Sequence, residues 1–286
     1  MDGTAKFGLV KFPNKLCIYS PEYREHCILN LELIRVLAGQ RELIWIDLSL
    51  VQEITASGAL ALFAQITSVK INEALKADIH IIGPKNVGAK RLFLRSGLTK
   101  AIEVNDKKQL EKLWKSDSKF QSGFNPDKHL EPTLEKIENT IRLPYKLKEA
   151  IQEAVLNIKQ HAYSEAPGVV PRWWHYAYTD HSNNRFVFAI CDRGISIPGK
   201  LSALQLSDAD AIEEAMKQGV SSTGDPWRGK GSNDIKKPIQ TAQTDKLLVL
   251  SRLGLYEYNL DAIPVKKTIL KNQFNGTLIA WDFTIE

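Results

Sequence analysis

The spacing of apolar residues in the first third of the chain predicts alternating strands and helices. Two short apolar runs, 42–51 and 78–85, are typical of buried strands, and the second contains a terminating Gly-Pro pair. Between them apolar residues recur every three or four positions, as in a helix packed on a sheet. These residues are Leu60, Leu62, Phe63, Ile66 and Val69. A second helix is predicted from Asn86 onward, interrupted at Ser96-Gly97. This order favours a parallel sheet with right-handed crossovers.

The second half of the chain shows both helical and strand periodicities. Residues 136–161 include a helix whose apolar stripe is Ile151, Ala154, Val155 and Ile158. Two strands are predicted around a turn at 181–184, the second running from Phe186 to Cys191. Further helices are predicted from Asp208 to about Gln218, and from the glycine-rich stretch 228–233 to about Gln243. The apolar runs 246–260 and 274–286 predict two more strands, with Gly276-Thr277 at the start of the last one.

Residues 106–135 are polar and predict a connector between two domains. Gly123, Pro126 and Pro132 are expected to break any long helix there, although Lys107 to Trp114 is compatible with one or two helical turns. A chain of 286 residues is too long for one small core. The sequence therefore predicts an α/β protein with domains at 1–105 and 136–286, which the connector holds at high effective concentration.

The composition excludes several classes of protein. It is that of an ordinary globular chain, without an apolar run of the roughly 20 residues that a membrane-spanning helix needs. The amino-terminal residues lack the layout of a secretory signal, so we expect a cytoplasmic protein with no membrane partner. Cys17, Cys27 and Cys191 are an odd number without CxxC spacing, which favours buried free thiols over a disulfide framework or a zinc site. The net charge of +5 is spread along the chain, and no nucleic-acid partner is expected.

Glu153, Asn157 and His161 fall on one polar flank of the predicted helix, because residues four apart advance only slightly around a helix. A carboxylate can orient or deprotonate a water, and an amide oxygen one turn later can hold Mg²⁺. The same spacing also occurs on solvated helix faces. His161 is interpreted as a packing or hydrogen-bonding residue.

Two later segments carry residues suited to a nucleotide. Asp192 ends a predicted strand and is followed by Gly194, so its carboxylate could accept a hydrogen bond from a buried amino group such as that of adenine. The segment Gly229-Lys230-Gly231 precedes a predicted helix, where backbone N–H groups can contact phosphate oxygens.

Taken in order, these segments resemble the motifs of the GHKL ATPases, the superfamily of gyrase, histidine-kinase and anti-sigma-kinase catalytic domains. The resemblance spans most of residues 136–286. It pairs Glu153 to Asn157 with the N box, Asp192 to Gly194 with the first glycine box, Gly229 to Gly231 with the second, and Gly276-Thr277 with the final Gly-Thr. It implies a GHKL (Bergerat) α/β sandwich in which helices cover one face of a mixed sheet.

The same resemblance implies roles for these residues with ATP and Mg²⁺ as cofactors. Glu153 would position or activate the attacking group, Asn157 would bind Mg²⁺, and Asp192 would bind adenine within the Asp192 to Gly194 box. The Gly229-Lys230-Gly231 loop would bind the phosphates and Thr277 would line the base side of the pocket. Ser196 replaces a family glycine, and Ser232-Asn233 stands where Gly-Leu is common. Ser196 fits if its backbone is not left-handed, so nucleotide binding is expected to be retained.

The segment 46–66, "IDLSLVQEITASGALALFAQI", resembles the STAS domain of anti-sigma factor antagonists. In those proteins the Ser before the matching Gly is phosphorylated by a partner kinase, and that position carries Ser57 here. A phosphate would be favoured at a helix N-terminus, although a Ser there can equally be a plain N-cap. Thr55 and Ala56 depart from the family's Asp and Ser.

Together the two resemblances imply a signalling protein of partner-switching type. The second domain would act as a Mg²⁺-dependent Ser/Thr kinase or slow ATPase, with Ser57 or a separate STAS protein as acceptor. The alternative is a nucleotide-sensing interaction module in which ATP closes a lid at 199–231 with negligible catalysis. Both families often form dimers, so the resemblance also suggests a homodimer.

Overall fold

A computed structural model of the chain describes most of its residues in two compact units. The described ranges are 7–40, 43–72, 74–75, 77–139, 141, 145–164, 170–217, 231–239, 243–259 and 265–285. The first unit ends at Ser122 and the second begins at Gly123. The chain is a mixed α/β protein with several sheets, as the sequence predicts at the level of fold class.

The first unit contains a parallel three-stranded sheet of order β1-β3-β5. Its elements are β1 (Phe7–Lys11), β2 (Lys15–Leu16), α1 (Pro21–Gly39), β3 (Leu43–Asp47), β4 (Glu53–Ile54), α2 (Ala56–Ile71), β5 (Ile79–Ile82), α3 (Val87–Ser96), α4 (Leu98–Ile102) and α5 (Lys107–Lys115). The short strands β2 and β4 pair separately. The predicted parallel order and the helix break at Gly97 are confirmed, whereas β1, β2 and α1 have no counterpart among the predicted elements.

Helix α1 lies against one face of this sheet. Val10, Ile44 and Ile46 are fully buried on that face, and a side chain at Gly8 would overlap Leu37 of α1. Helix α2 packs against α1 and is buried along most of its length, as expected for a helix that is apolar on all sides.

The predicted connector contains more regular structure than expected. Helix α5 agrees with the helical turns allowed from Lys107 to Trp114, but a strand β6 (Phe120–Gly123) and a helix α6 (Pro126–Glu138) follow it. Pro126 is the first residue of α6, where its fixed φ is favourable. Pro132 lies inside that helix; it removes a single hydrogen bond, and Leu134 and Ile137 beyond it are buried in the core of the second unit.

The second unit is built on four sheet strands in the order β7-β8-β10-β9, and the boundary between the units falls within β6. Its remaining elements are α7 (Tyr145–Asn157), β7 (Trp173–Asp180), β8 (Arg185–Asp192), α8 (Ile197–Lys200), α9 (Asp208–Ala215), α10 (Gly231–Lys236), β9 (Lys246–Tyr258) and β10 (Lys266–Thr284). The pairs β7–β8, β8–β10 and β10–β9 are antiparallel.

One face of this sheet and the apolar stripe of α7 form the core of the second unit. The predicted stripe residues Ile151, Ala154, Val155 and Ile158 are all buried there. They belong to one cluster with alternating strand residues, since successive side chains point to opposite faces. These strand residues include Phe186, Phe188 and Ile190 of β8, Leu247 and Val249 of β9, and Ile279, Trp281 and Phe283 of β10.

Candidate functional site

Asp192 is a buried carboxylate at the end of β8. It continues the alternation of Phe188 and Ile190, so its side chain lies on the face that α7 covers. Gly194 N–H donates to its Oδ1 at 2.7 Å, and the backbone N–H of Thr277 also donates to the carboxylate. Burial raises the pKa of Asp192 to about 6, against these two donors and the Arg193 charge, which lower it. The group therefore carries its charge at neutral pH at an energetic cost.

Two hydroxyl groups lie on the same face of the two neighbouring strands. Thr277 of β10 is paired with Ser251 of β9, and their oxygens are 2.9 Å apart. The Ser251 hydroxyl donates to Gly276 O, while Ile197 N–H donates to the Ser251 oxygen at 3.0 Å. All three side-chain groups are at least nine-tenths buried. This end of the covered face thus combines a charged acceptor with hydroxyl groups that can donate or accept.

Gly194 and Gly276 allow the backbone segments at this site to approach each other. A Cβ at Gly194 would overlap the carbonyl oxygen of Ala162, and Ile195 N–H donates to that same oxygen at 2.7 Å. Gly276 has φ 89°, and a Cβ there would overlap the carbonyl of Asp192. Both positions therefore require glycine for space, and Gly276 also requires it for its backbone conformation.

Gly276-Thr277 lies inside the last strand and not at its start, where the sequence predicts it. Strand β10 starts at Lys266, and its pairing with β9 is irregular between Ile269 and Phe274 and again between Phe274 and Thr277. Such bulges re-aim side chains in the strand beyond them. The regular register from Thr277 onward therefore begins at the candidate site.

The helix that carries Glu153 and Asn157 ends in a π-helical turn, Ile158–Ala162. A π turn holds more residues than an α turn, so His161 does not continue the flank that α-helical spacing predicts. His161 and Asn157 are both partly exposed. The turn ends at the Ala162 carbonyl that contacts Ile195, which connects the end of α7 to the loop after β8. π turns are frequent at functional sites.

Glu153 and Asn157 interact with each other. Their side chains are hydrogen-bonded, and Asp234 of α10 lies close enough to act on Glu153 electrostatically. Burial raises the pKa of Glu153, the negative charge of Asp234 raises it further, and the hydrogen bond with Asn157 lowers it. Lys237 forms an ion pair with Asp234 and lies 3.9 Å from Glu149 of α7. The structure therefore brings together the two residues that helical spacing predicts.

Ser196 has a strained backbone. Its φ of 76° and ψ of 165° lie in a region that is almost exclusive to glycine. The sequence predicts that Ser fits here only if its backbone is not left-handed, and the positive φ does not meet that condition. The Ser196 hydroxyl accepts a hydrogen bond from Gly199 N–H at 3.2 Å and so caps α8, while the next residue donates to Ser251. The strained peptide is held from both sides.

The predicted phosphate loop lies largely outside the described residues. Gly229 and Lys230 are not described, and neither is most of the predicted lid beyond residue 217. Helix α10 begins at Gly231 and ends at Lys236, followed by a 3-10 turn that contains Pro238. The helix is thus shorter than predicted, because Pro238 cannot donate a hydrogen bond within an α-helix.

Ser57 is not the N-cap of α2. That position is Thr55, whose hydroxyl oxygen accepts from Gly58 N–H at 3.3 Å. Ser57 lies in the first turn, is fully buried, and its Oγ is 3.5 Å from that of Thr55. A kinase could reach this hydroxyl only if α2 moved away from its neighbours.

Three residues of the site were missed by sequence reasoning. Ser251 lies mid-strand in an apolar run and carries no motif. Tyr163 accepts a hydrogen bond from Arg193 N–H at 3.2 Å and donates to Arg172 O at 2.9 Å, which tethers the end of the π turn to the loop after β8. Asp234 follows the predicted phosphate loop. An acidic residue in the first turn of a helix is a sequence signal that could have identified it.

No model of a known protein family matches the sequence, and no curated protein matches it either. Within the described residues, His, Cys, Asp and Glu side chains nowhere gather in groups of three that could hold a metal ion, and all three cysteines are free and buried, as predicted. In the same residues no helix has the length and apolar character needed to cross a membrane.

Proposed function

We propose that the second unit is a GHKL-type domain that binds ATP with Mg²⁺, and that the chain acts in a partner switch as a Ser/Thr kinase or slow ATPase. The observation that carries the proposal is the buried carboxylate of Asp192 beside the Ser251–Thr277 hydroxyl pair. A desolvated carboxylate next to hydroxyl groups, at the edge of a packed core, suits an uncharged aromatic base with an exocyclic amino group.

The close backbone approach at Gly194 and Gly276 supports the same proposal. These contacts fix the main chain on both sides of Asp192, so the carboxylate would be held in one position for a flat base that binds beside it. Asp192 would accept a hydrogen bond from the amino group of adenine, and Thr277 would contact the ring side of the base.

The pairing of Glu153 with Asn157 fits Mg²⁺ and the phosphates. Hard cations prefer oxygen ligands, and Mg²⁺ usually takes only one or two protein groups with the remainder from phosphates and water. When bound, Mg²⁺ would neutralise charge on the phosphates. Asn157 would supply its side-chain oxygen, and Glu153 would accept a proton from the attacking hydroxyl or water. The raised pKa of Glu153 makes it a better proton acceptor than an exposed carboxylate.

The acceptor in this proposal is a Ser or Thr on a separate STAS-like protein. The fully buried Ser57 of this chain is the less accessible alternative. The first unit would then serve as a tethered STAS-like module.

The test is incubation of the full chain with Mg²⁺ and ATP labelled on the γ-phosphate. Release of labelled phosphate supports an ATPase, and label on added STAS-type proteins or on the chain supports a kinase. Binding is measured separately by calorimetry. If the chain neither binds ATP nor turns it over in the presence of Mg²⁺, the proposal is refuted.

Matched variants locate the activity. Asp192→Asn should abolish binding, whereas Asp180→Asn, at the exposed opposite end of the β7–β8 hairpin, should leave it intact. Asn157→Ala should abolish Mg²⁺-dependent turnover, whereas the exposed Gln160→Ala in the following π turn should not. Equal effects of a variant and its control would mean that the nucleotide binds elsewhere.

The backbone of Ser196 favours a second candidate function, nucleotide sensing without significant catalysis. A strained peptide held by Ser251 and by the α8 cap is suited to change conformation when a ligand contacts Thr277. Tight ATP binding with no product over hours would support this function, and rapid multiple turnover would rule it out.

A further inference from the structure

The parallel sheet of the first unit has one open face. Val10, Ile44 and Ile46 point into the helix-covered core, so the alternate residues of β1, β3 and β5 point the other way. Parallel sheets are almost always covered on both faces. Here Phe7 is 67% exposed, Leu9 54%, Trp45 36% and Ile82 37%, so no described part of the first unit covers this face.

The strand register arranges the residues of the open face in three rows. From the amino to the carboxyl ends of the strands, the rows are Phe7–Leu43–Asp78, Leu9–Trp45–His80 and Lys11–Asp47–Ile82. The ring of Trp45 stacks on His80 with centroids 4.8 Å apart, and His80 Nε2 lies 3.4 Å from Asp78. The centre and one diagonal of the face are therefore apolar, while Lys11 and Asp78 occupy opposite corners.

We infer that this open face binds the same face of a second copy of the chain. When two sheets pack face to face, the two-fold axis lies in the plane between them. Each residue then meets the partner residue at the position reflected across that axis. If the axis runs along the diagonal from Phe7 through Trp45 to Ile82, these three residues meet their own counterparts. Leu9 then meets the partner's Leu43, Lys11 meets the partner's Asp78, and His80 meets the partner's Asp47.

The other two-fold arrangements do not satisfy the charges. An axis along the strands places Asp47 against the partner's Asp47, and an axis across them places Lys11 over the partner's Phe7. An axis along the second diagonal places Lys11 against Lys11 and Asp78 against Asp78. Like charges opposed in an interface are unfavourable, and so are buried charges without partners. The diagonal that pairs opposite charges makes the strands of the two sheets cross at nearly a right angle, a known mode of sheet packing.

The test measures the oligomeric state of the full chain by sedimentation velocity across a wide concentration range. The wild type should form a dimer. Trp45→Lys and Leu9→Lys, each at an exposed position, should give a folded monomer, because they place a charge in the apolar centre of the interface. Leu92→Lys, at a similarly exposed position on α3, is the matched control and should leave the dimer unchanged.

Charge reversal tests the arrangement itself. Lys11→Glu and Asp78→Lys should each weaken the dimer about tenfold, and the double variant should recover most of this loss. Facing sheets lie about 10 Å apart, which is too far for a direct disulfide, so Ile82→Cys should instead be joined between subunits by a short bifunctional maleimide. Leu92→Cys should not be joined, and the native cysteines are buried and do not compete.

A monomeric wild type at every concentration overturns the inference and leaves the face to another protein or to another part of this chain. A dimer that survives Trp45→Lys and Leu9→Lys overturns it as well. Failure of the double charge reversal to recover the dimer overturns the proposed diagonal packing.

Discussion

The two units distribute buried polar groups and exposed apolar groups in opposite ways. In the first unit the hydroxyl of Ser57 is sealed inside the core, while Phe7, Leu9 and Trp45 lie uncovered on the open sheet face. In the second unit the apolar residues are packed under α7, and the polar groups Asp192 and Thr277 lie at the end of that packed face. A desolvated carboxylate beside a packed core can act on a small ligand, whereas an uncovered apolar sheet gains only by association. Under the proposals made above, this difference would place ligand binding in the second unit and association in the first.

The largest expected effect comes from placing a charge at Ser57. Ser57→Asp should destabilise the first unit by about 4 kcal/mol, because an unpaired carboxylate would be buried in a fully enclosed position. The measurement is denaturant unfolding followed by fluorescence and circular dichroism. Ser20→Asp, the same change at the partly exposed N-cap of α1, should be neutral or stabilising. A well-tolerated Ser57→Asp would revive this residue as a phosphorylation site and weaken the contrast between the units.

Disrupting the main-chain contact at Gly194 in the second unit should have the next largest effect. Gly194→Ala should cost about 3 kcal/mol of unfolding free energy and abolish nucleotide binding, because the added methyl group overlaps the Ala162 carbonyl. Gly83→Ala in the first unit, where an added Cβ meets no atom within 4 Å, is the control and should change stability by less than about 0.5 kcal/mol. A loss of unfolding free energy at Gly194 as small as that at Gly83 would show that the approach to the Ala162 carbonyl is not tight.

The protonation of Asp192 should produce a smaller effect with a defined sign. Its pKa in the folded state, about 6, lies above the ordinary value, so the folded state binds a proton more readily than the unfolded state as the pH falls. Between pH 7.5 and about pH 5, the unfolding free energy of the wild type should rise by about 1 kcal/mol relative to Asp192→Asn. ATP binding should weaken through the same interval, because the protonated carboxyl loses acceptor capacity. A stability difference that does not vary with pH would contradict the assigned burial.

Relief of strain at Ser196 should give the smallest effect. Ser196→Gly removes the cost of the positive φ and also the α8 cap, so a net stabilisation below about 1 kcal/mol is expected. Ser207 caps α9 with an ordinary φ of −62°, so Ser207→Gly removes a cap without relieving strain. This variant should therefore be slightly less stable than the wild type. The two changes therefore differ in sign, and thermal melts of the pair measure this directly.

Much of the second unit could be predicted from the sequence because its periodicities are long and regular. The stripe of α7, the hairpin of β7 and β8, and the position of Asp192 at the end of β8 all follow from apolar spacing and a turn signal. The pairing of Glu153 with Asn157 follows from helical geometry alone.

The errors arose where local pattern and tertiary packing disagree. Polar residues between Ile269 and Phe274 concealed the first half of β10, whose irregular pairing with β9 disturbs the alternation there. In the connector, the sequence predicts a break at Pro132, but packing of Leu134 and Ile137 keeps α6 helical past it. Helix α1 buries a charged residue, Arg24, satisfied by the carbonyls of Ile18 and Tyr19, and this interrupts its apolar stripe. None of these contacts can be seen in a window of neighbouring residues.

The π turn at Ile158–Ala162 has a consequence for how this chain tolerates changes in length. Such a turn accommodates one residue more than a regular helix would, so deletion of a single residue there would restore an α-helix and rotate every later residue about its axis. The Ala162 carbonyl would then no longer face Ile195, and Tyr163 would turn away from Arg193. Natural variants of this protein should accordingly exchange residues freely at the exposed positions of the turn while keeping the number of residues from Asn157 to Tyr163 constant.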